Sequence, residues 1–231
     1  MIDTIYQAAA LIIPLILAIV FHEVAHGWTA RALGDPTAAQ LNRLSLNPLR
    51  HVDPVGTILV PGVLKLLGGP VFGWAKPVPV VKERLRNPRT GMMLVAAAGP
   101  GSNLVLALIG AVLLGALLAA VPMTGGLDQI SVSGFLVLNL FNFISINVFL
   151  ALFNLLPIPP FDGSHIVEGL LPPQAAKTYE KLRPLGFPLI LILLVGIPYI
   201  VPSFDIVGWV VVPPVRWLTE FYLSFTMAIA G

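Results

Sequence analysis

The stretch "VGTILVPGVLKLLGGPVFGW", residues 55–74, decides the topology of this chain. It is apolar enough to enter a membrane, yet its glycines and prolines interrupt regular helix. If it crosses, everything after it changes sides. If it enters and returns, nothing does. The basic residues discriminate between the two. Nine of the thirteen lysines and arginines fall between Arg31 and Arg89, and Lys177, Lys181 and Arg183 form a second group. None falls between Leu127 and Ser133. Cytoplasmic loops carry the excess of Lys and Arg. A returning segment puts both basic groups on one side, whereas a crossing one sends Lys82–Arg89 to the other. The sequence therefore predicts a re-entrant or interfacial segment, with the N-terminus outside. Irregular backbone at membrane depth is tolerated where protein or water covers it.

Composition supports a membrane setting. Of 231 residues, 57% are hydrophobic and 10% charged, with a mean hydropathy of +0.91. A soluble domain carries about 25% charged residues. The chain reads as an integral membrane protein in contact with a lipid bilayer. A formal net charge of +2 gives no reason to expect a nucleic-acid partner. Without cysteine there is neither disulfide nor thiolate ligand, so a metal must bind through His, Asp or Glu. The N-terminus lacks a basic n-region and a small-residue cleavage site, which reads as a retained span.

Uncharged runs give the spans. Thr4–Phe21 is the first, with its helix continuing to about Leu33. Thr90–Leu127 and Gln129–Phe161 follow, the latter broken near its end by Pro157, Pro159 and Pro160. Pro184–Phe204 is the fourth. Ile206–Gly231 is a weaker fifth, interrupted by Pro213, Pro214, Arg216 and Glu220, which spans or lies partly in the interface. The expected fold class is an all-α polytopic membrane protein, with about five transmembrane helices and a re-entrant or strand-like segment near 55–81. The outer loop, near Pro122–Ser133, is too short for an inserted domain. Residues 1–231 thus read as one membrane-embedded domain, with a core near 4–170 and C-terminal helices near 184–231. In "GWAKPVPVV" (73–81) the prolines forbid a helix. On composition alone this is an amphipathic surface loop, with an extended edge strand as the alternative.

Polar residues intrude at "FHEVAHGW" (21–28). His22 and His26, four apart, leave a helix from one face, one turn apart. That spacing lets both imidazoles hold one zinc ion, and Glu23 beside them can act on water. This is the HExxH arrangement of zinc hydrolases. Ionisable groups inside a span are costly and functional by default. A catalytic zinc ordinarily takes a third protein ligand. Asp162 in "NLLPIPPFDGSH", right after the third long span, is one candidate. His165 and His51 are others, and Glu168, Asp53 and Asp35 have less context. With a returning 55–74 segment, the first and third spans deliver His22, His26 and Asp162 to the same side. A crossing would separate them.

The chain resembles the site-2 proteases, intramembrane zinc metalloproteases. The motifs that carry the resemblance are "HEVAH" (22–26), "GWAKPVPV" (73–80), "AGPGSN" (98–103) and "NLLPIPPFDG" (154–163). Together they look like the compact branch without a PDZ insertion, over roughly residues 15–170. The resemblance implies one zinc ion held by His22, His26 and Asp162, with Glu23 as catalytic base and Asn154 as a polar active-site residue. It also implies that the segment around Gly73–Val81 pairs with an extended substrate. The substrate would be a transmembrane protein, cut in or near its membrane segment by regulated intramembrane proteolysis. The location implied is a prokaryotic cell membrane, with the active site toward the cytoplasm.

The remaining polar residues have plainer readings. Gly99–Asn103 is either close helix packing or a polar contact from Asn103. Asn139, Asn142 and Asn147 read as hydrogen-bonding glue, His165 as a neighbour of the site, and His51 as interfacial. Arg216 and Glu220 read as a local i, i+4 ion pair. Two other functions compete. One is a metal-ion transporter using His22, His26 and Asp162 as a transit site, and the other a silent scaffold for membrane helices. A transporter calls for polar pairs on both sides of the midplane, while these residues gather on one. The sequence leaves a homo-oligomer open.

Overall fold

The computed structural model describes residues 2–66, 73–120, 131–201 and 203–231. Four helices are long and apolar enough to cross a bilayer: α1 (Ile2–Ala32), α3 (Pro88–Ala120), α4 (Val132–Asn154) and α7 (Arg183–Ile200). Between α1 and α3 lies a short apolar helix, α2 (Pro54–Leu66). Two short helices, α5 (Asp162–Leu170) and α6 (Pro173–Glu180), precede α7. The last helix, α8 (Val212–Ala230), follows a π-helical turn at Val207–Val211. Among the described residues there is no β-strand.

The bundle centres on α1, α3 and α4. Tyr6 lies edge-on to Phe135 at one end, and Asn142 Nδ2 donates to the Ala10 carbonyl further along. Rising numbers on α1 thus pair with rising numbers on α4, so the two run parallel, and α4 ends level with the His22–His26 turn of α1 while α1 continues to Ala32. Helix α3 is antiparallel to them: its Asn103 donates to Ala18 O, while its earlier Val95 faces the later His26. Away from the histidines, Ala107, Ala111 and Leu114 of α3 pack with Ile144 and Val148 of α4 and Tyr222 of α8. Tyr222 Oη donates to Leu104 O and Thr226 Oγ1 to Ala111 O. Helix α8, the weaker fifth segment, therefore lies lengthwise along α3 as part of the bundle. Arg216 and Glu220 on it are both exposed, and no ion pair joins them among the described residues. Long exposed pairs gain little against the entropy of holding them together.

The described ends of the stretch that decided the topology lie together. Helix α2 has 13 residues, about 20 Å at 1.5 Å per residue, short of a hydrocarbon core of about 30 Å. Residues 67–72 lie outside the described residues. Trp74 is nevertheless back beside the start of α2: its N–H donates to Gly56 O (3.1 Å), and its carbonyl accepts from Thr57 Oγ1 (2.9 Å). A Cβ on Gly56 would lie 2.3 Å from the Trp74 indole, so this closure requires glycine there. The expected outer loop near Pro122–Ser133 falls largely on 121–130, also outside the described residues.

Residues 73–81 form no helix and pair in no sheet among the described residues; they run as an extended segment. Its backbone alternates as extended chain does. Trp74, Lys76 and Val78 donate their N–H groups to Gly56 O, His51 O and Glu23 Oε2. Arg43 Nη2 donates to the Lys76 carbonyl. The segment ends where Val81 N–H meets Asp35 Oδ2 at 2.6 Å.

Candidate metal centre and catalytic cavity

Helix α1 carries His22 and His26 one turn apart, and α4 ends at Asn154 just before the turn that starts α5 at Asp162. Because α4 runs parallel to α1 and ends beside its His22–His26 turn, the three residues meet. Asp162 Oδ2 lies 3.1 Å from His22 Nε2 and 3.4 Å from His26 Nε2, and the two Nε2 atoms are 3.0 Å apart. Among the described residues this is the one His/Asp group with metal-binding geometry.

The outer nitrogens decide what the inner ones present. Asn103 Nδ2 donates to Ala18 O (3.2 Å) and Asn147 Oδ1 (2.7 Å), so its Oδ1 is the atom facing His22 Nδ1 at 2.6 Å. His22 Nδ1 must therefore carry the proton. His26 Nδ1 donates to Val95 O at 2.7 Å, for a carbonyl can only accept. Neutral rings held this way aim two lone pairs at each other and at a carboxylate. Asp162 Oδ2 is itself buried with no hydrogen-bond partner among the described residues. Three acceptors converging without a donor suit a cation, and two imidazoles with a carboxylate suit zinc. Hydrogen-bonding the outer ring nitrogen is how ligating histidines are oriented.

"AGPGSN" resolves into both of its readings. A Cβ on Gly99 would lie 2.5 Å from the His26 ring and 2.6 Å from His22, so glycine lets α3 press against the imidazoles. One turn on, Asn103 supplies the polar contact. Asn147 acts as glue and also supports His22: it accepts from Asn103 and donates to Phe143 O. Asn142 ties α4 to α1, whereas Asn139 Nδ2 reaches no acceptor among the described residues.

A cavity of about 740 Å³ opens on this group. His22, Glu23, His26, Asn154, Asp162 and His165 line it, together with the extended segment at Gly73–Ala75 and Pro77–Val78 and with Phe187 and Ile190 of α7. Glu23 Oε2 accepts the Val78 N–H at 2.8 Å, which fixes the carboxylate against the extended segment. Asn154 reaches the cavity, but its Nδ2 donates to Leu150 O of its own helix. His165 faces Arg183 Nη2 at 3.0 Å. Burial, with the Arg183 charge beside it, lowers its pKa below the ordinary imidazole value.

The other ligand candidates have different work. Asp53 caps α2 through Val55 N and Gly56 N. Asp35 accepts from the backbone and hydroxyl of Thr37 and from Val81 N. Burial alone would raise its pKa; those hydrogen bonds outweigh it and hold the carboxyl below its ordinary value. His51 is buried, with Nε2 on Ser45 O and its carbonyl on Lys76 N. Glu168 is buried between Lys82 and Arg183. Burial would raise its pKa, but the Lys82 hydrogen bond and the Arg183 charge hold it low. Sequence reading missed Val78 on Glu23 and Glu168 between its cations, since neither has a motif.

A His/His/Asp group beside a glutamate, in a chain whose helices are long and apolar enough to cross a bilayer, is what a membrane metalloprotease requires. The comparisons agree. The family model for peptidase family M50, the site-2 protease family, matches residues 10–196, and the chain belongs to that family. Two similar chains bear the name "Putative zinc metalloprotease". YwhC of Bacillus subtilis is 42% identical over 191 residues, covering 80% of each chain. Rip2 of Mycolicibacterium smegmatis is 29% identical over 200 residues, covering 84% of this chain and 70% of Rip2. No solved structure matches significantly. The protein is a zinc metallopeptidase.

Proposed function

We propose that the protein is an intramembrane endopeptidase that hydrolyses a peptide bond in or near the transmembrane segment of another membrane protein, in regulated intramembrane proteolysis. The observation that carries this is one cavity, where the apolar helix α4 ends beside the His22–His26 turn of α1, lined by His22, His26, Asp162, Glu23 and an extended backbone segment. His22, His26 and Asp162 would hold the zinc. Bound there, zinc supplies Lewis acidity toward a carbonyl and makes water more acidic.

The chain's own groups supply the rest. Glu23, anchored by Val78 N–H, takes a proton from the attacking water and delivers it to the leaving nitrogen. Asn154 has a second amide N–H beyond the one on Leu150 O, and this donates to the developing oxyanion. A substrate helix must unwind first, and its freed backbone groups then need partners. The segment at 73–78 offers them by strand addition. Trp74 and Lys76 direct their N–H groups away from that free edge, and Pro77 has none, so the edge is rich in acceptors and the substrate does most of the donating.

The whole chain would work as one domain, with a core near 4–170 and C-terminal helices near 184–231. Twelve of the thirteen Lys and Arg fall within residues 31–89 and 177–183, around the connections from α1 to α3 and from α4 to α7, which favours a cytoplasmic-facing site in a prokaryotic cell membrane. The described residues hold a single metal-binding cluster rather than a series along a path, so transport gains no support. The test is cleavage of a model transmembrane substrate. Glu23→Gln should lower the rate by about 10²–10⁴-fold with zinc retained, and equal rates would refute the reading.

A further inference from the structure

Glu168 is 7% exposed on α5, the helix that Asp162 begins. Its Oε1 accepts from Lys82 Nζ at 2.9 Å, and its Oε2 accepts from Arg183 Nη2. These two cations belong to different walls of the catalytic cavity. Lys82 directly follows the extended segment that lines one side. Arg183 opens α7, whose Phe187, four residues on, lines the other. The walls also touch: Trp74 of the segment meets Phe187 edge-on, with ring centroids 5.2 Å apart. The contacts close a ring, from the segment through Lys82, Glu168, Arg183 and Phe187 to Trp74.

The charges in this ring are unequal. Glu180 Oε1 lies 3.8 Å from Arg183 Nη1, but it is half exposed and touches only that cation. Glu168 is the one described carboxylate that pairs with both walls. Without its charge, two half-buried cations face each other across the same gap. A neutral side chain there would not merely loosen the ring but drive its halves apart, since like charges repel more strongly away from bulk water.

We propose that Glu168 is a positioning residue that sets the width of the catalytic cleft, clamping the extended segment and α7 to the helix that bears Asp162. The proposal rests on the reading of this cavity as the substrate cleft. It touches no reacting atom, so its removal should widen the cleft while leaving the metal group in place.

The chain has no cysteine, so spin labels can be placed at Lys76→Cys and Leu185→Cys, both exposed, and their separation measured in the full-length, zinc-loaded protein. Glu168→Gln should lengthen and broaden that distance at unchanged zinc content, and lower kcat/KM on a transmembrane substrate by about ten- to a hundredfold, mostly through KM. Adding Lys82→Met to Glu168→Gln should bring the labels part of the way back, to the separation seen in Lys82→Met, because it removes the repulsion. Lys82→Met alone releases one arm of the clamp without leaving a repulsion, so it should move them less than Glu168→Gln does. A merely structural glutamate would give additive losses and no such recovery. Should Glu168→Gln not fold, Glu168→Asp, too short to reach both cations, should shift the labels in the same direction by less. Unchanged label distances in Glu168→Gln and Glu168→Asp would overturn the clamp, even with an active protease. Separating labels in a protein that cleaves no substrate would sustain the clamp and refute the protease reading.

Discussion

Helices α3 and α4 each pass through two environments, and the contrast separates what is built for chemistry from what is built for packing. At one end Val95, Gly99 and Asn103 of α3 face His22 and His26, with Asn147 of α4 behind them. Further along, Ala107, Ala111, Leu114, Ile144 and Val148 form an apolar cluster with Tyr222. Buried polar groups occur in both regions. In the apolar region Tyr222 and Thr226 end on helix carbonyls, so each bond joins two helices and stops there. At the other end the bonds run in series, from Phe143 O through Asn147 and Asn103 to His22 Nδ1, and terminate on a ring nitrogen. Such a chain fixes a tautomer as well as a packing.

The comparison can be broken by substitutions in each region. Asn103→Ala should weaken zinc binding by about 10–100-fold, measured by competition with a chelator. An unchanged affinity would mean that the asparagine chain is packing alone. Thr226→Val, in the apolar region, should cost about 1 kcal/mol of stability and leave zinc affinity untouched, as read by denaturant unfolding beside the same chelator titration. The smallest effect concerns the anchor of the extended segment. Asp35 has its folded pKa held below its ordinary 3.8, so its contribution to stability is complete above that pH and is lost as pH falls through the folded value. Acid unfolding should accordingly show the wild type more stable than Asp35→Asn near neutrality, with the gap closing in strong acid. A gap that held constant with pH would contradict the hydrogen-bonded carboxylate.

Much of the metal group was legible in the sequence because it depends on local periodicity. His22 and His26 share a helix face by spacing alone, and the charge rule then carried Asp162 to their side. The return of 55–74 followed from the same rule, and the contact between Trp74 and Gly56 accords with it. What could not be read were contacts set by how helices cross. Nothing in "AGPGSN" says that Asn103 faces His22 rather than lipid, and nothing near Glu168 points to Lys82, 86 positions away. One local reading failed for a related reason. Arg216 and Glu220 have pairing distance in sequence but no burial to make pairing worthwhile. The burial of His51 was equally illegible, because it comes from the folding of its loop onto the extended segment.

If His22, His26 and Asp162 hold the zinc on which Glu23 works, the zinc content of purified full-length protein should show it, wild type beside Asp162→Ala and Glu23→Gln. Equimolar zinc is expected in the wild type and in Glu23→Gln, and little in Asp162→Ala. Equimolar zinc in Asp162→Ala, with its loss on replacing His165 instead, would overturn this ligand set.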